Sequence, residues 1–159
     1  MSDINEAMIF AAGFGKRMYP LTTNVPKPLL KVNGKPIISY IIEDLINLNF
    51  KNIVINTHHL SEKFHDELKP YSRIIKIVFE EEILDTGGGF LNAIKRNFFY
   101  NLKSPKVLIN GDILWKKTVH SPIEKILRNW NEEKMDLLLC LIEKRFFFGY
   151  RGKGDFNLE

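Results

Sequence analysis

Cysteine is almost missing from this chain: one residue, Cys140, in 159. A single thiol excludes an intrachain disulfide framework and any all-cysteine zinc site. Long hydrophobic runs are missing too. No wholly apolar run exceeds six residues, Leu137 to Ile142 being one, whereas a bilayer-spanning helix needs about 20. Charge of one sign does not dominate either. The 23 Lys and Arg residues face 19 Asp and Glu, a formal net charge of +4, and the pI is near 9.1. The densest basic stretches are short: Lys116-Lys117, Lys144-Arg145, and Arg151 with Lys153. Nucleic-acid binders concentrate charge on one face and carry a recognisable motif. Neither feature occurs, so the expected partners include no nucleic acid and no membrane, and a basic surface or a site for a small anion accounts for the charge. Repeats of solenoid period and low-complexity segments are also lacking. Residues 1–6 are polar and acidic, unlike a signal peptide, and the expected location is the cytoplasm.

The remaining composition is that of an ordinary globular domain. Hydrophobic residues make up 45% and charged residues 26%, which excludes wholesale disorder. A length of 159 residues supports one core, so residues 1–159 are expected to form a single domain.

Apolar periodicity alternates between two kinds along the chain. Ala7 to Ala12 is a short apolar run stopped by glycine, which predicts a buried strand feeding a loop. Pro20, Pro26 and Pro28 exclude a continuous helix in that loop. After Pro36, the residues Ile37, Ile38, Ile41, Ile42, Leu45, Ile46 and Leu48 recur at helical spacing. The β-branched run Asn52 to Thr57 predicts a buried parallel strand. A helix is expected from Ser61 to Lys69, and a strand from Arg73 to Phe79. Gly87 to Gly89 form a loop opening a helix through Lys95. Strands are expected over Lys106 to Ile109, Asp136 to Ile142 and Asp155 to Glu159, with a helix from Ser121-Pro122 through Trp130. Right-handed βαβ crossovers turn this order into an α/β fold, a mostly parallel sheet with helices on both faces.

In such a sheet, ligands bind beyond the carboxyl ends of the strands. The residues there are Gly13 to Arg17, His58-His59, Glu80 to Gly89 and Asn110-Gly111-Asp112. Gly13 and Gly15 let backbone amides approach an anion, and Lys16 and Arg17 add positive charge. Two familiar phosphate loops fail on spacing. The dinucleotide fingerprint requires glycine where Met18 stands, and a Walker A loop has neither Arg17 nor Phe10 at the matching places. A tight strand-to-loop turn and a phosphate cradle both stay open for this segment. Lys27 lies between Pro26 and Pro28, which stiffen the backbone around one point charge. Asp112 follows a strand and suits either an Asx turn or a Mg²⁺ ligand. The glycine run offers a surface without side chains to a planar base, or is a plain turn. His58 and His59, adjacent on an extended segment, are expected on opposite sides and not on one metal ion. Glu80, Glu81, Glu82 and Asp85 form an acidic run that reads either as a solvated loop or as one that brings a single carboxylate to a ligand hydroxyl. Cys140 is expected as inert core.

Taken in order, Ala11-Ala12-Gly13-Phe14-Gly15-Lys16-Arg17-Met18-Tyr19-Pro20-Leu21-Thr22, Pro26-Lys27-Pro28-Leu29, Asp85-Thr86-Gly87-Gly88-Gly89 and Asn110-Gly111-Asp112 resemble the nucleoside-triphosphate:sugar-1-phosphate nucleotidyltransferases. Leu84 to Gly89 and Gly152 to Glu159 are similar to the N-acetylmuramate-1-phosphate uridylyltransferase branch, and mannose-1-phosphate guanylyltransferase-like members are close to it. The resemblance implies a Rossmann-like, three-layer GT-A-type sandwich. It also implies transfer of a nucleotidyl group from UTP or GTP to a sugar 1-phosphate, with Mg²⁺ as cofactor, in nucleotide-sugar synthesis for the cell envelope. It assigns catalysis to Arg17, Lys27 and Asp112, and the metal to Asp112. The nucleotide falls to Ala12, Gly13, Gly15, Lys16, Arg17, Lys27 and Gly88, and the sugar phosphate to Asn110, Gly154 and Asp155. Members of the family continue past the position of Glu159 and there supply a second metal-binding carboxylate and closing strands. The expectation is therefore a chain without that portion, working as a homodimer or with a separate C-terminal fragment. The alternative is a non-catalytic nucleotide-binding or regulatory remnant.

Overall fold

Residues 4–116, 119–147, 152–154 and 156–157 are described by the structure, a computed structural model. Four strands form a wholly parallel sheet: β1 (Glu6–Phe10), β4 (Asn52–Thr57), β5 (Ile75–Phe79) and β6 (Val107–Asn110), in the spatial order β5-β4-β1-β6. A small antiparallel hairpin, β2 (Lys31–Val32) with β3 (Lys35–Pro36), precedes the first helix. The helices are α1 (Ile37–Asn47), α2 (Glu62–Glu67), α3 (Asp85–Lys95) and α4 (Pro122–Asn129).

Alternation along the central strands divides the core in two. On β1, Ala7 and Ile9 point one way and Met8 the other; on β4, Ile53 and Ile55 oppose Val54. The first set packs against Ile38, Ile41, Ile42 and Leu45 of α1, Phe64 of α2 and Ile123 of α4. The second packs against Ala93 of α3 and Phe99. This arrangement is the expected three-layer α/β sandwich. Its cause is the direction of chain travel. From β1 the chain moves outward through β4 to β5, then returns through α3 to β6 on the far side of β1. A right-handed crossover in the reverse direction lands on the opposite face.

Several expectations require correction. Residues 136–142 form no strand, and Leu137, Leu139, Leu141 and Ile142 are exposed. A short apolar run becomes a strand only beside a hydrogen-bonding neighbour, which local pattern cannot supply. Cys140, expected in the core, is exposed with them. Gly87 to Gly89 lie inside the first turns of α3, not in a loop before it. Of the expected last strand, Asp155, Leu158 and Glu159 lie outside the described residues, while Phe156 and Asn157 are in no strand. Among the described residues, no helix is long and apolar enough to cross a membrane.

The amino ends of the strands are closed by a buried polar cluster. Glu6 accepts from Asn52 Nδ2 (2.8 Å) and from the backbone amides of Tyr100 (2.7 Å) and Asn101 (3.2 Å). Lys106 Nζ lies 3.2 Å from its carboxylate and also donates to the Ser104 carbonyl (2.6 Å). Both side chains are almost fully buried, so each charge depends on the other and on these hydrogen bonds. The cluster ties the loop between α3 and β6 to the sheet. Burial pushes the Glu6 carboxyl up, but the two amides, Asn52 and Lys106 together hold it below its ordinary value. A depressed carboxyl stabilises the fold above its unfolded-state value and loses that contribution as pH falls through the folded one. Glu6→Gln is therefore expected to lower unfolding free energy by about 1–3 kcal/mol near neutral pH. The gap to wild type should close as pH falls below the ordinary carboxyl value of 4.5. Urea denaturation across that range measures both.

Candidate active site

β1 delivers the chain to the carboxyl edge at Phe10, and the segment Ala11 to Arg17 crosses that edge. Gly15 adopts φ +65 and caps a short 3-10 turn over Lys16–Met18. Only glycine takes that conformation without steric penalty. A Cβ on Gly15 would also lie 3.1 Å from Thr22 Cγ2 and 3.2 Å from Lys27 Cβ. Thr22 is fully buried, and its hydroxyl donates to the Gly15 carbonyl at 2.9 Å. The turn is thus held from beneath while Lys16 and Arg17 are presented to solvent.

Lys27 opens a second 3-10 turn, Lys27–Leu29, preceded by Pro26 in an extended conformation. Pro28 and Leu29 are buried, Leu29 within the core beneath α1. Lys27 is thereby fixed at its root. Its ammonium donates to Asp112 Oδ2 at 2.6 Å across 85 positions of sequence. Asp112 reaches that place because Gly111 passes tightly over the end of β1. Its amide donates to the Phe10 carbonyl at 2.8 Å, and a Cβ there would sit 2.9 Å from the same oxygen.

These segments surround a cleft of about 470 Å³. Its walls include Gly13, Gly15, Lys16, Arg17, Lys27, Asn110 and Asp112, together with Phe10, Ala11, Phe14, Met18 and Pro28. Seven of the residues singled out from sequence therefore come together. Ala12 is buried, and Gly88 lies in the first turns of α3; neither lines the cleft. Gly154 is exposed and is not in the cleft wall, and Asp155 lies outside the described residues. Among the described residues, no three His, Cys, Asp or Glu side chains cluster as a metal centre. The donor set is one carboxylate on a basic cleft. It suits a hard cation that takes most of its ligands from substrate phosphates and water, as Mg²⁺ does.

The structure also uses residues that sequence reading set aside. Glu80, read within an acidic run as solvated or facing a ligand, is instead buried and bonded to Asn56, whereas Glu81, Glu82 and Asp85 are exposed. Asn56 in turn accepts from the Ala11 amide. The available signal was the asparagine that follows the apolar residues Ile53 to Ile55 of a central strand, which needs a polar partner when buried. His58 and His59 do not diverge. β4 ends at Thr57, and both rings lie against Phe14, with centroids 5.4 and 5.6 Å away.

The model of the nucleotidyl transferase family matches residues 6–145. The chain is 30% identical over 159 aligned residues to the N-acetylmuramate alpha-1-phosphate uridylyltransferase of Caulobacter vibrioides, covering 96% of this chain and 64% of that protein. It is 39% identical to the enzyme of the same name from Neisseria meningitidis serogroup B, over 69% of this chain and 47% of that one. Among solved structures it is similar to the CTP:phosphocholine cytidylyltransferase from Streptococcus pneumoniae. The identity there is 33% and the TM-score 0.55, covering 69% of this chain and 46% of that one. The chain thus spans about half to two thirds of the length of these relatives.

The geometry around Gly15 makes a direct prediction. Gly15→Ala is expected to destabilise the fold by about 1–2 kcal/mol through the left-handed backbone, read by urea denaturation. The same variant should bind inorganic tripolyphosphate more weakly in calorimetry, because the turn carrying Lys16 and Arg17 must shift.

Proposed function

The chain belongs to the nucleotidyl transferase family, and from that premise we propose that it forms the nucleotide-binding part of an enzyme transferring a nucleotidyl group from UTP or GTP to a sugar 1-phosphate. The observation that supports this reading is the meeting of Lys16, Arg17, Lys27 and Asp112 around one cleft. Three cations and one carboxylate share that cleft, a combination that suits a triphosphate held together with a divalent cation.

In the proposed reaction, an anionic phosphate oxygen of the sugar 1-phosphate attacks the α-phosphorus of the nucleotide. The bond from that phosphorus to the bridging oxygen breaks, and pyrophosphate leaves with the electron pair. The attacking oxygen is already ionised, so no strong general base is needed. Positioning and charge neutralisation supply the acceleration. Arg17 would bind the departing pyrophosphate through its forked donors. Lys16 and the amides of the Gly13–Gly15 turn would hold the triphosphate. Lys27 would leave Asp112 and donate to the α-phosphate as the sugar phosphate approaches. Asp112 would hold Mg²⁺, which when bound offsets phosphate charge. Ala12, Gly13 and Gly88 would meet the base and ribose, and Asn110, Gly154 and Asp155 the sugar side.

Pyrophosphate release, measured on a panel of nucleotides and sugar phosphates with Mg²⁺, tests the reading. UTP or GTP with a sugar 1-phosphate should give turnover. Lys27→Ala and Asp112→Ala should each reduce that turnover by about 100-fold or more, with the circular dichroism spectrum unchanged. Unaltered turnover in both variants would remove these two residues from the reaction. Nucleotide binding without turnover on any acceptor would favour the alternative, a binding or regulatory remnant.

A further inference from the structure

The glycine turn over the cleft has one side chain at its tip. Gly13 and Gly15 carry none, and a Cβ on Gly13 would meet nothing within 4 Å. Phe14, between them, is the side chain left to anchor the tip. Its ring lies 5.4 Å from that of His58, edge to face at 85°, and 5.6 Å from that of His59 at 52°. Both distances lie in the range at which aromatic rings attract. Lys16 Nζ sits over the Phe14 ring, 5.0 Å from its centroid, within reach of a cation–π interaction. Phe14 and Lys16 line the cleft, and neither histidine does.

The turn that presents the two histidines is strained. Adjacent residues on an extended segment point to opposite sides, so two neighbouring rings meet one partner only if the backbone bends after β4. Among the described residues, the non-glycine residues with a left-handed backbone are Asn33, Asn49, Asp85, Asn97 and Leu60. Asparagine and aspartate offset the steric cost of that region with local hydrogen bonds, which leucine cannot make. Leu60, at φ +55, directly follows His59. Its surroundings hold it there. The hydroxyls of Thr57 and Ser61 share a hydrogen bond of 2.7 Å across the turn. The Lys63 amide donates to the Leu60 carbonyl at 3.1 Å, and Phe64, in the same helix, is fully buried in the core. His58 is fixed from another direction, because its Nδ1 donates to the Glu80 carbonyl at 2.8 Å. Strain of this kind persists only where the structure around it enforces it, and it clusters at functional segments.

We propose that His58 and His59 clamp Phe14, and that these three positioning residues hold the Gly13–Gly15 turn and Lys16 where a triphosphate is bound. The proposal rests on the functional reading above and gives the strained β4–α2 turn a task within it. Thr22 holds the loop at Gly15, and the rings hold its tip. The histidines act through Phe14 and not on the phosphates. Their effect should therefore be the same for every nucleotide, whatever its base, and for a triphosphate that has no base at all.

Calorimetry of the whole chain with Mg²⁺ and inorganic tripolyphosphate, UTP, CTP or GTP tests the clamp. Phe14→Leu and His59→Ala should each weaken tripolyphosphate binding by roughly two- to tenfold, the worth of one aromatic contact. Nucleotides should lose affinity by the same factor. Both substitutions break one shared contact, so the double variant should bind about as weakly as either single variant. Phe14→Tyr and His59→Phe keep a ring and should stay within about twofold of wild type. If Phe14→Leu does not fold, His59→Ala and His59→Phe decide the matter by themselves. Wild-type affinity in the single variants would overturn the proposal, as would losses that multiply in the double variant. Failure of His59→Phe to restore binding would also overturn it, since the imidazole and not the ring contact would then be what counts. A wild-type chain that binds neither tripolyphosphate nor any nucleotide would instead overturn the functional reading and this inference with it, so the two failures are distinct.

Discussion

The strand order reverses at β1, and that single topological constraint organises the rest of the molecule. Strands β4 and β5 extend the sheet one way, and β6 extends it the other. Connections leaving the carboxyl ends of β1 and β5 must then diverge, one to each face of the sheet. Between them the carboxyl edge is left open. The loop after β1 and the turn after β6 enclose this opening from its two sides. Segments 85 positions apart thereby bring Lys27 and Asp112 within hydrogen-bonding distance.

The two ends of the sheet carry ion pairs of different character. At the amino ends, Lys106 and Glu6 are almost wholly buried and surrounded by backbone donors and acceptors. Removing either partner strands a charge in a dry environment, so this pair is structural. At the carboxyl ends, the side chains of Lys27 and Asp112 are 27% and 35% exposed. An ion pair so open to water contributes about 1 kcal/mol or less to folding. Its partners are open to exchange: the ammonium can turn to a phosphate oxygen and the carboxylate to a cation. The cleft thus combines charged groups that contribute little to stability with backbone that is held rigidly. Thr22 fixes the Gly15 turn, and Asn56 fixes Ala11.

Much of the framework was legible in the amino acids. β1, α1, β4, β5 and β6 announce themselves through apolar runs and helical spacing, because each carries in its own residues the apolar pattern that the sandwich buries. Residues 136–142 misled for the opposite reason. They have the length and apolarity of a buried strand, but a strand is a relation between two stretches of backbone, and local pattern carries only one of them. The acidic run misled in a similar way. Glu80 looks like Glu81 and Glu82 in sequence, yet it alone of the three is turned inward, where the Asn56 side chain of β4 and the Leu84 amide donate to its carboxylate. Nothing within a window of neighbouring residues reveals such a partner.

By itself, then, the sequence determined the layers, the parallel sheet, and the glycine, lysine and aspartate positions gathered at one edge. These follow from periodicity, chirality and the rule that strand ends face the ligand. Tertiary structure alone decided which of those groups touch. It set Lys27 on Asp112, placed Thr22 under Gly15, and turned one glutamate of three into the core. The physical reason is that hydrogen bonds and ion pairs depend on distances of a few tenths of an ångström between distant parts of the chain, and only the packed fold fixes those.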